Sequence, residues 1–383
     1  MTVTHPSGFR AAGVAAGLQP PGVRDVAVIV NDGPSSAVAA VWTSNRCKAN
    51  PVLWSERVTA EGSARVVVAS SGGANCYTGP AGFQNTHATA ERAAELLDVA
   101  AIDVIVCSTG LIGLLDDKDT LLAGVEAAVA ALSGGGGAAA ADAIRTTDTV
   151  AKHAVVDADG WSIGGIAKGA GMLAPGLATM LVFLTTDAVA DASTADRALR
   201  EATRATFDRL DSDGCMSTND SVVLMVSGGS GVTPSYDDLA TAVQRICHEL
   251  AQQLLRDAEG SDHDIAITVV GAASDDDAAE VGKAVARSNL FKCAIFGQDP
   301  NWGRILAAVG TTSAAFDPSD LDVALNDIWV CRSSGPGDGR ELVDLTARDV
   351  TVTIDLKSGD ETATVWTNDL TSAYVHENSA YAS

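Results

Sequence analysis

Aromatic side chains are scarce, at 4% of 383 residues, so the 46% hydrophobic content must come largely from Ala, Val, Leu and Ile. Those residues can fill a substantial core, in one large domain or two ordinary ones. Basic residues are also short: 25 Lys and Arg against 49 Asp and Glu give a formal charge of −24. A surface of that sign repels a phosphate backbone and argues against nucleic acid as a partner. It does not exclude a local basic pocket for an anionic substrate. No apolar run reaches the roughly 18 residues of a membrane span. The start, Met1-Thr2-Val3-Thr4-His5-Pro6, has no basic region leading into an apolar core, so no secretory signal is expected. Cysteines at 47, 76, 107, 215, 247, 293 and 331 include no close pair of the zinc-binding kind and suggest no disulfide framework. The expected compartment is a reducing cytoplasm, with most thiols buried as small hydrophobes.

What is present is an alternation of short β-branched runs and alanine-rich stretches. Val26 to Val30, Arg65 to Ala69 and Asp103 to Cys107 read as strands. Glu91 to Val99 and Thr120 to Leu132 read as helices. The clearest helix runs from Tyr236 to Arg256, with Leu239, Val243, Ile246, Leu250 and Leu254 on one face. Asp275-Asp276-Asp277 after Ser274 reads as the acidic first turn of a further helix, not a metal site. Ser133-Gly134-Gly135-Gly136-Gly137 is a linker or a loop insertion. Mixed elements over this length predict an α/β or α+β fold.

The segment from Lys168 through Gly169, Gly171, Pro175-Gly176 and Ala178 to Thr179-Met180-Leu181 carries the most chemical information. A tight turn delivers a small residue and a hydroxyl to the mouth of an apolar run, Met180 to Leu184. If the Ala178–Thr179 bond breaks, Thr179 holds both a hydroxyl and an α-amine. An α-amine of pKa about 7.7–8.0 can serve as general base near neutrality without histidine. Taken alone, the segment reads more simply as a turn into a core strand.

Three other motifs fail on context. Gly160-Trp161-Ser162-Ile163-Gly164 fits a serine-hydrolase elbow, but Asp157 to Gly160 reads as a turn and Gly164-Gly165 opposes the helix such an elbow needs. A hairpin is expected there. Gly169-Ala170-Gly171-Met172-Leu173-Ala174 matches a dinucleotide fingerprint, yet Pro175-Gly176 stands where the helix should open. Asp211-Ser212-Asp213-Gly214 begins like a calcium loop but has Val222 at its twelfth position.

Six motifs, in order with the Lys168–Leu181 segment, make the chain resemble the ornithine acetyltransferase, or glutamate N-acetyltransferase, family over nearly its full length. Gly8-Phe9 with Ala11-Ala12-Gly13 is followed by Ser108-Thr109-Gly110-Leu111-Ile112-Gly113. Thr146-Thr147-Asp148-Thr149 and the Lys168–Leu181 segment come next. Ser217-Thr218-Asn219-Asp220, Asp299-Pro300-Asn301-Trp302-Gly303-Arg304 and Glu377-Asn378-Ser379 complete the series. The resemblance implies a layered helix-sheet-sheet-helix core of the N-terminal-nucleophile type, with a smaller C-terminal α/β portion at about 260–383. It implies self-cleavage into an α chain, 1–178, and a β chain, 179–383, assembled as α2β2.

The resemblance also implies the chemistry. Thr179 is the nucleophile and, through its freed amine, the base; Thr109 and Gly110 form the oxyanion hole. Thr146 and Lys168 line the substrate pocket, where Lys168 meets a substrate carboxylate. Glu259 recognises substrate amino groups, and the tail folds back so that Asn378 and Ser383 bind substrate. Asn301 to Arg304 support the site structurally. Acetyl moves from N2-acetyl-L-ornithine to L-glutamate by double displacement, with no metal or organic cofactor, and some members also take acetyl-CoA as donor. This chain departs from the common pattern at Ala174, at Gly176-Leu177, at Ser261-Asp262-His263 and at Arg145, where methionine is usual. An amidase or aminopeptidase that passes the acyl group to water, and an uncleaved amino-acid-binding protein, are the alternatives.

Overall fold

Valine-rich strands paired with alanine-rich helices build two units in the computed structural model, which describes residues 2–173 and 180–380. The first unit takes in residues 2–170, 180–207 and 216–254; the second takes in 171–173, 208–215 and 255–380.

The first unit runs β1 (Phe9–Val14), β2 (Val26–Asn31), β3 (Ala37–Trp42), α1 (Asn50–Val58), β4 (Val66–Ser70), α2 (Gly79–Leu97), β5 (Val104–Ser108), α3 (Lys118–Ala130) and α4 (Gly137–Ala143). It continues β6 (Lys152–Asp157), β7 (Ser162–Lys168), β8 (Leu181–Thr186), α5 (Ala192–Ala205), β9 (Ser221–Val226) and α6 (Tyr236–Arg256). One sheet has the order β1-β2-β4-β5, the other β3-β9-β8-β7-β6.

Side chains alternate along a strand, and β2, β4 and β5 of the first sheet are largely apolar on both faces. Ala27, Ile29, Val67, Ala69, Ile105 and Cys107 face a core shared with Ile166, Leu181, Phe183, Val223 and Met225 of the second sheet. Val26, Val28, Val30, Val66, Val68, Val104 and Val106 point the other way, onto Ala90, Ala93 and Ala94 of α2 and Leu121, Val125 and Ala128 of α3. On the far side of the second sheet α5 packs on β3, and Ile246 and Leu250 of α6 press on Gly165, where a Cβ would meet them at 3.2 and 2.9 Å. The expected layering of helix, sheet, sheet and helix is therefore present in this unit. Small strand residues such as Gly165 let the helix approach; losing a buried aromatic like Phe183 typically costs about 3–5 kcal/mol.

β6 and β7 are antiparallel neighbours joined through Ala158 to Trp161, which makes the Gly160–Gly164 segment a hairpin and not a nucleophile elbow. The glycine run at 133–137 proves to be an internal loop. Ser133 bridges to Ala11, and a Cβ on Gly136 would lie 1.7 Å from the Ala11 carbonyl oxygen. The expected helix at 91–99 is the C-terminal half of a longer one: α2 starts at Gly79 because Pro80 occupies its first turn, where no amide is needed.

The second unit contains β10 (Asp264–Ala272), α7 (Asp275–Ala286), α8 (Asn289–Phe296), α9 (Trp302–Val309), β11 (Asp322–Leu325), β12 (Ile328–Arg332), β13 (Gly335–Pro336), β14 (Asp349–Asp355), β15 (Glu361–Asn368) and α10 (Ser372–Ala380). Its sheet order is β13-β12-β11-β14-β10-β15, with β10 and β14 parallel. Ile265, Ile267 and Val269 alternate inward from β10 onto Val281 and Val285 of α7, Phe291 of α8 and Ile305 of α9. Ser274 caps α7 by accepting the Asp277 amide, so the acidic triplet does serve a helix start. Cys76, Cys107, Cys247 and Cys331 are buried, whereas Cys47, Cys215 and Cys293 are exposed. Among the described residues no helix is long and apolar enough to cross a membrane.

Candidate active site

The end of β5 is fixed by side-chain clamps as well as by backbone pairing. Ser108 donates its hydroxyl to the Ala74 carbonyl (2.8 Å). Asn219 donates its amide to the Ala74 and Ser108 carbonyls (2.6 and 2.8 Å). Thr109 donates its amide to Ser70 O at 2.9 Å and is buried. The next residue must be glycine: Gly110 has φ +132°, and a Cβ there would lie 2.3 Å from Gly72 O. The strand end thus fixes a hydroxyl and a small, amide-bearing residue side by side.

Lys168, the last residue of β7, is 1% exposed. Its ammonium donates to Thr146 Oγ1 at 2.7 Å and to Thr109 Oγ1 at 3.2 Å. A lysine donor at Thr109 Oγ1 takes one of the hydroxyl's acceptor sites and leaves its O–H to be donated elsewhere. Asp148 supports the lysine. Its Oδ1 accepts from Lys152 Nζ and from the Gly169 amide, both at 2.6 Å, and its Oδ2 accepts the Thr146 amide at 3.2 Å. Lys168 Nζ lies 4.0 Å from Oδ2. Burial pushes the Asp148 carboxyl upward, but the charges of Lys168 and Lys152 and the Gly169 amide outweigh it and hold it below the ordinary carboxylate value. Arg145 closes the turn by donating to the Asp148 and Thr149 carbonyls at 2.9 and 3.0 Å.

At the other end of the Thr109 loop, Asp116 accepts from Ser70 Oγ at 3.2 Å. Burial raises its pKa to about 6 against the pull of that hydroxyl and the Gly73 amide. Just past position 179, Asp220 accepts the Met180 amide at 3.0 Å.

Within the second unit, a cleft of about 250 Å³ is lined by Asp213, Glu259, Lys292, Asp369 and Tyr374 among others. Asn378, on α10, donates to Glu259 Oε2 at 3.0 Å. Gly171 is glycine because the Glu259 carboxylate sits where a Cβ would be, 2.5 Å away. Asp213 accepts the Met172 amide at 2.6 Å, and the Ser212 amide donates to Leu173 O, also at 2.6 Å. Lys292 donates to the Ser212 carbonyl and to Thr367 Oγ1; burial lowers its pKa to about 8, although Asp211, Asp213 and Asp369 oppose the shift. Burial, reinforced by Asp213 and Cys215, pushes the Tyr374 hydroxyl well above its usual range.

A profile of the ArgJ family matches residues 10–383. The chain belongs to the ArgJ family. It is 61% identical over 383 residues to the arginine biosynthesis bifunctional protein ArgJ of Streptomyces coelicolor, with full coverage of both. The crystal structure of the arginine biosynthesis bifunctional protein argJ from Bacillus halodurans is 37% identical, with a TM-score of 0.50 over 52% of this chain and 98% of that one. An ornithine acetyltransferase from Mycobacterium tuberculosis, solved in complex with ornithine, is 53% identical over 45% of this chain and 94% of that one, with a TM-score of 0.45.

In this ArgJ-family chain the structure gathers Thr109, Gly110, Thr146 and Lys168 in the first unit and joins Glu259 to Asn378 in the second. Ala178, Thr179 and Ser383 lie outside the described residues. Asp148 and Lys152 were not singled out from the sequence as site residues, nor were Asp213, Lys292 and Tyr374. A lysine opening a strand reads as a solvated edge, and only the long-range fold shows that Lys152 is fully buried. The signal that was available is the spacing of Asp148 and Lys152, four apart, within a motif already noted.

Proposed function

We propose that this chain is a self-processing acetyltransferase of arginine biosynthesis that moves acetyl from N2-acetyl-L-ornithine to L-glutamate. The observation that carries the reading is the Lys168 ammonium bonded to both Thr109 and Thr146 in one buried cluster, at the C-terminal end of β7. On this reading the ammonium is the cation that meets a substrate carboxylate, next to the Thr109 hydroxyl that it hydrogen-bonds. Family membership and 61% identity to a bifunctional ArgJ protein support the same reading.

In the proposed sequence, Thr179 Oγ attacks the Ala178 carbonyl carbon and the peptide C–N bond breaks, giving an ester and a free Thr179 amine. Water then hydrolyses the ester. In the mature enzyme that amine takes the Thr179 hydroxyl proton as Oγ attacks the acetyl carbonyl of acetylornithine. The Thr109 hydroxyl and Gly110 amide stabilise the oxyanion, and the departing ornithine nitrogen receives the proton. The glutamate amine attacks the acetyl-Thr179 ester; Oγ leaves and regains its proton. Lys168 holds the α-carboxylate of each substrate in turn, Glu259 recognises the amino groups, and Asn378 and Ser383 bind substrate. The active form would be an α2β2 assembly in the cytoplasm, with acetyl-CoA to be tested as a second donor.

The test is a denaturing gel of the purified protein with N-terminal sequencing, followed by ornithine release with and without glutamate. Two bands, one beginning Thr179-Met180-Leu181, and release that requires glutamate are expected. Release that proceeds equally without glutamate would make the protein a hydrolase. One intact chain without turnover would leave a binding protein.

A further inference from the structure

Asp116 lies at the far end of the loop that carries Thr109 and Gly110, and its carboxylate reaches back to the end of β4 and the glycines after it. It accepts the Ser70 hydroxyl at 3.2 Å and also accepts the Gly73 amide. Backbone contacts align the same two segments. Thr109 donates its amide to Ser70 O at 2.9 Å, Gly73 bridges Leu111, and Ala74 donates to Leu111 O at 3.1 Å. Asp25, a second carboxylate near this turn, is taken up by the amides of Ala16, Gly17, Leu18 and Gln19 at 2.6–3.0 Å. Asp116 is the one that grips the glycines.

The peptide between Gly72 and Gly73 is where that grip acts. In a planar trans peptide the N–H and the C=O point to opposite sides. The Gly73 N–H faces Asp116, so the Gly72 oxygen faces away from it and onto Gly110, 2.3 Å from the place a Cβ of Gly110 would take. Two glycines in a row lack the side chains that would resist turning this peptide over. Turned over, it would set its oxygen against the Asp116 carboxylate, acceptor to acceptor, and its N–H against Gly110. The carboxylate therefore decides which group Gly110 rests on. We infer that Asp116 is a positioning residue for the reaction: by holding the Gly73 amide it turns the Gly72 carbonyl onto Gly110 and seats the Gly110 amide for the oxyanion. The inference rests on the acetyltransferase reading, with Gly110 as an oxyanion donor, and adds what holds that donor in place.

The test measures kcat and KM for acetyl transfer from N2-acetyl-L-ornithine to L-glutamate, per self-cleaved chain, so that unfolded protein does not count. Asp116→Ala is expected to lower kcat at least about tenfold with KM within about threefold, as for a donor that acts in the transition state. Asp116→Asn is expected to recover most of that loss. Its amide oxygen can accept the Gly73 N–H while its NH2 donates to Ser70 Oγ, a hydroxyl that both donates and accepts. Ser70→Ala removes the carboxylate's other donor and leaves the Gly73 amide held, so it should cost no more than about threefold. The deciding comparison repeats Asp116→Ala on Gly110→Ala, where the amide is already displaced; there it should lower kcat no more than about threefold further. Equal losses on both backgrounds, an asparagine variant as slow as the alanine one, a Ser70→Ala loss of about tenfold, or Asp116→Ala at the wild-type kcat would each overturn the inference. A wild-type chain that transfers no acetyl overturns the acetyltransferase reading and this inference with it. An active wild type with any of those four results overturns this inference alone.

Discussion

Asp220 accepts the amide hydrogen of Met180 at 3.0 Å, and Met180 directly follows the proposed nucleophile. Both residues are buried. A hydrogen bond to a charged acceptor is worth about 1.5–3 kcal/mol, or about ten- to a hundredfold in an equilibrium or rate that depends on it. Asp220→Ala should slow fragment formation by roughly tenfold or more, and Asp220→Asn, which still offers an oxygen, should slow it much less. A pulse-chase time course on gels measures both. An alanine variant that cleaves at the wild-type rate would leave Asp220 with no part in processing.

Gly110 tolerates no side chain, for two separate reasons. Its φ of +132° strains any L-residue, and a Cβ would lie 2.3 Å from Gly72 O. Gly110→Ala should displace the amide offered to the oxyanion and lower kcat about 10²–10³-fold, the range for losing one oxyanion donor. Steady-state kinetics on the cleaved enzyme check this, and a kcat within threefold of wild type would remove Gly110 from the oxyanion hole.

Asp116 gives a pH signature in stability. Its carboxyl has a pKa of about 6 in the folded chain against 3.8 when unfolded. Between those values the folded state keeps a proton that the unfolded state has lost. Stability should therefore fall as pH rises from about 4 to about 6 and level off above. Asp116→Asn should lack this slope. Urea midpoints from pH 4 to 8 for both proteins measure it; parallel curves would count against the buried carboxyl.

Lys292 produces the opposite slope at alkaline pH. Its pKa is about 8 when folded and 10.5 when unfolded, so between these values the unfolded chain binds the extra proton. Stability should rise with pH through that window. Lys292→Met should remove the rise, because methionine carries no titrating group. Melting temperatures taken from pH 7 to 10.5 decide it, with identical pH trends for the two proteins as the contrary result.

Regular elements were legible where one periodicity ran uninterrupted. Leu239 to Leu254 showed the full length of α6, and Ser274 with three aspartates marked the start of α7. The start of α2 was hidden because Gly79-Pro80 looks like a breaker until proline is placed in the first turn. At the site, Thr109 and Lys168 stood out through motif resemblance, and the fold put them 3.2 Å apart across 59 residues of chain. The Asp148–Lys152 pair did not stand out, since charged residues four apart are ordinary on any exposed surface. Its burial comes from β6 joining the sheet beside β7, which no local pattern reports.

The order β3-β9-β8-β7-β6 interleaves chain from both sides of residue 179: β3, β6 and β7 precede it, while β8 and β9 follow it and lie between β7 and β3. A cut before Thr179 severs the polymer without severing the sheet. The fragments would then be two threads of one fabric and not two separable proteins. The first fragment made alone would present β7 and β3 as raw edges flanking a gap two strands wide, an invitation to aggregate. Such a sheet would have to be woven as one chain before any cut, so the proposed division would belong to activation and not to assembly.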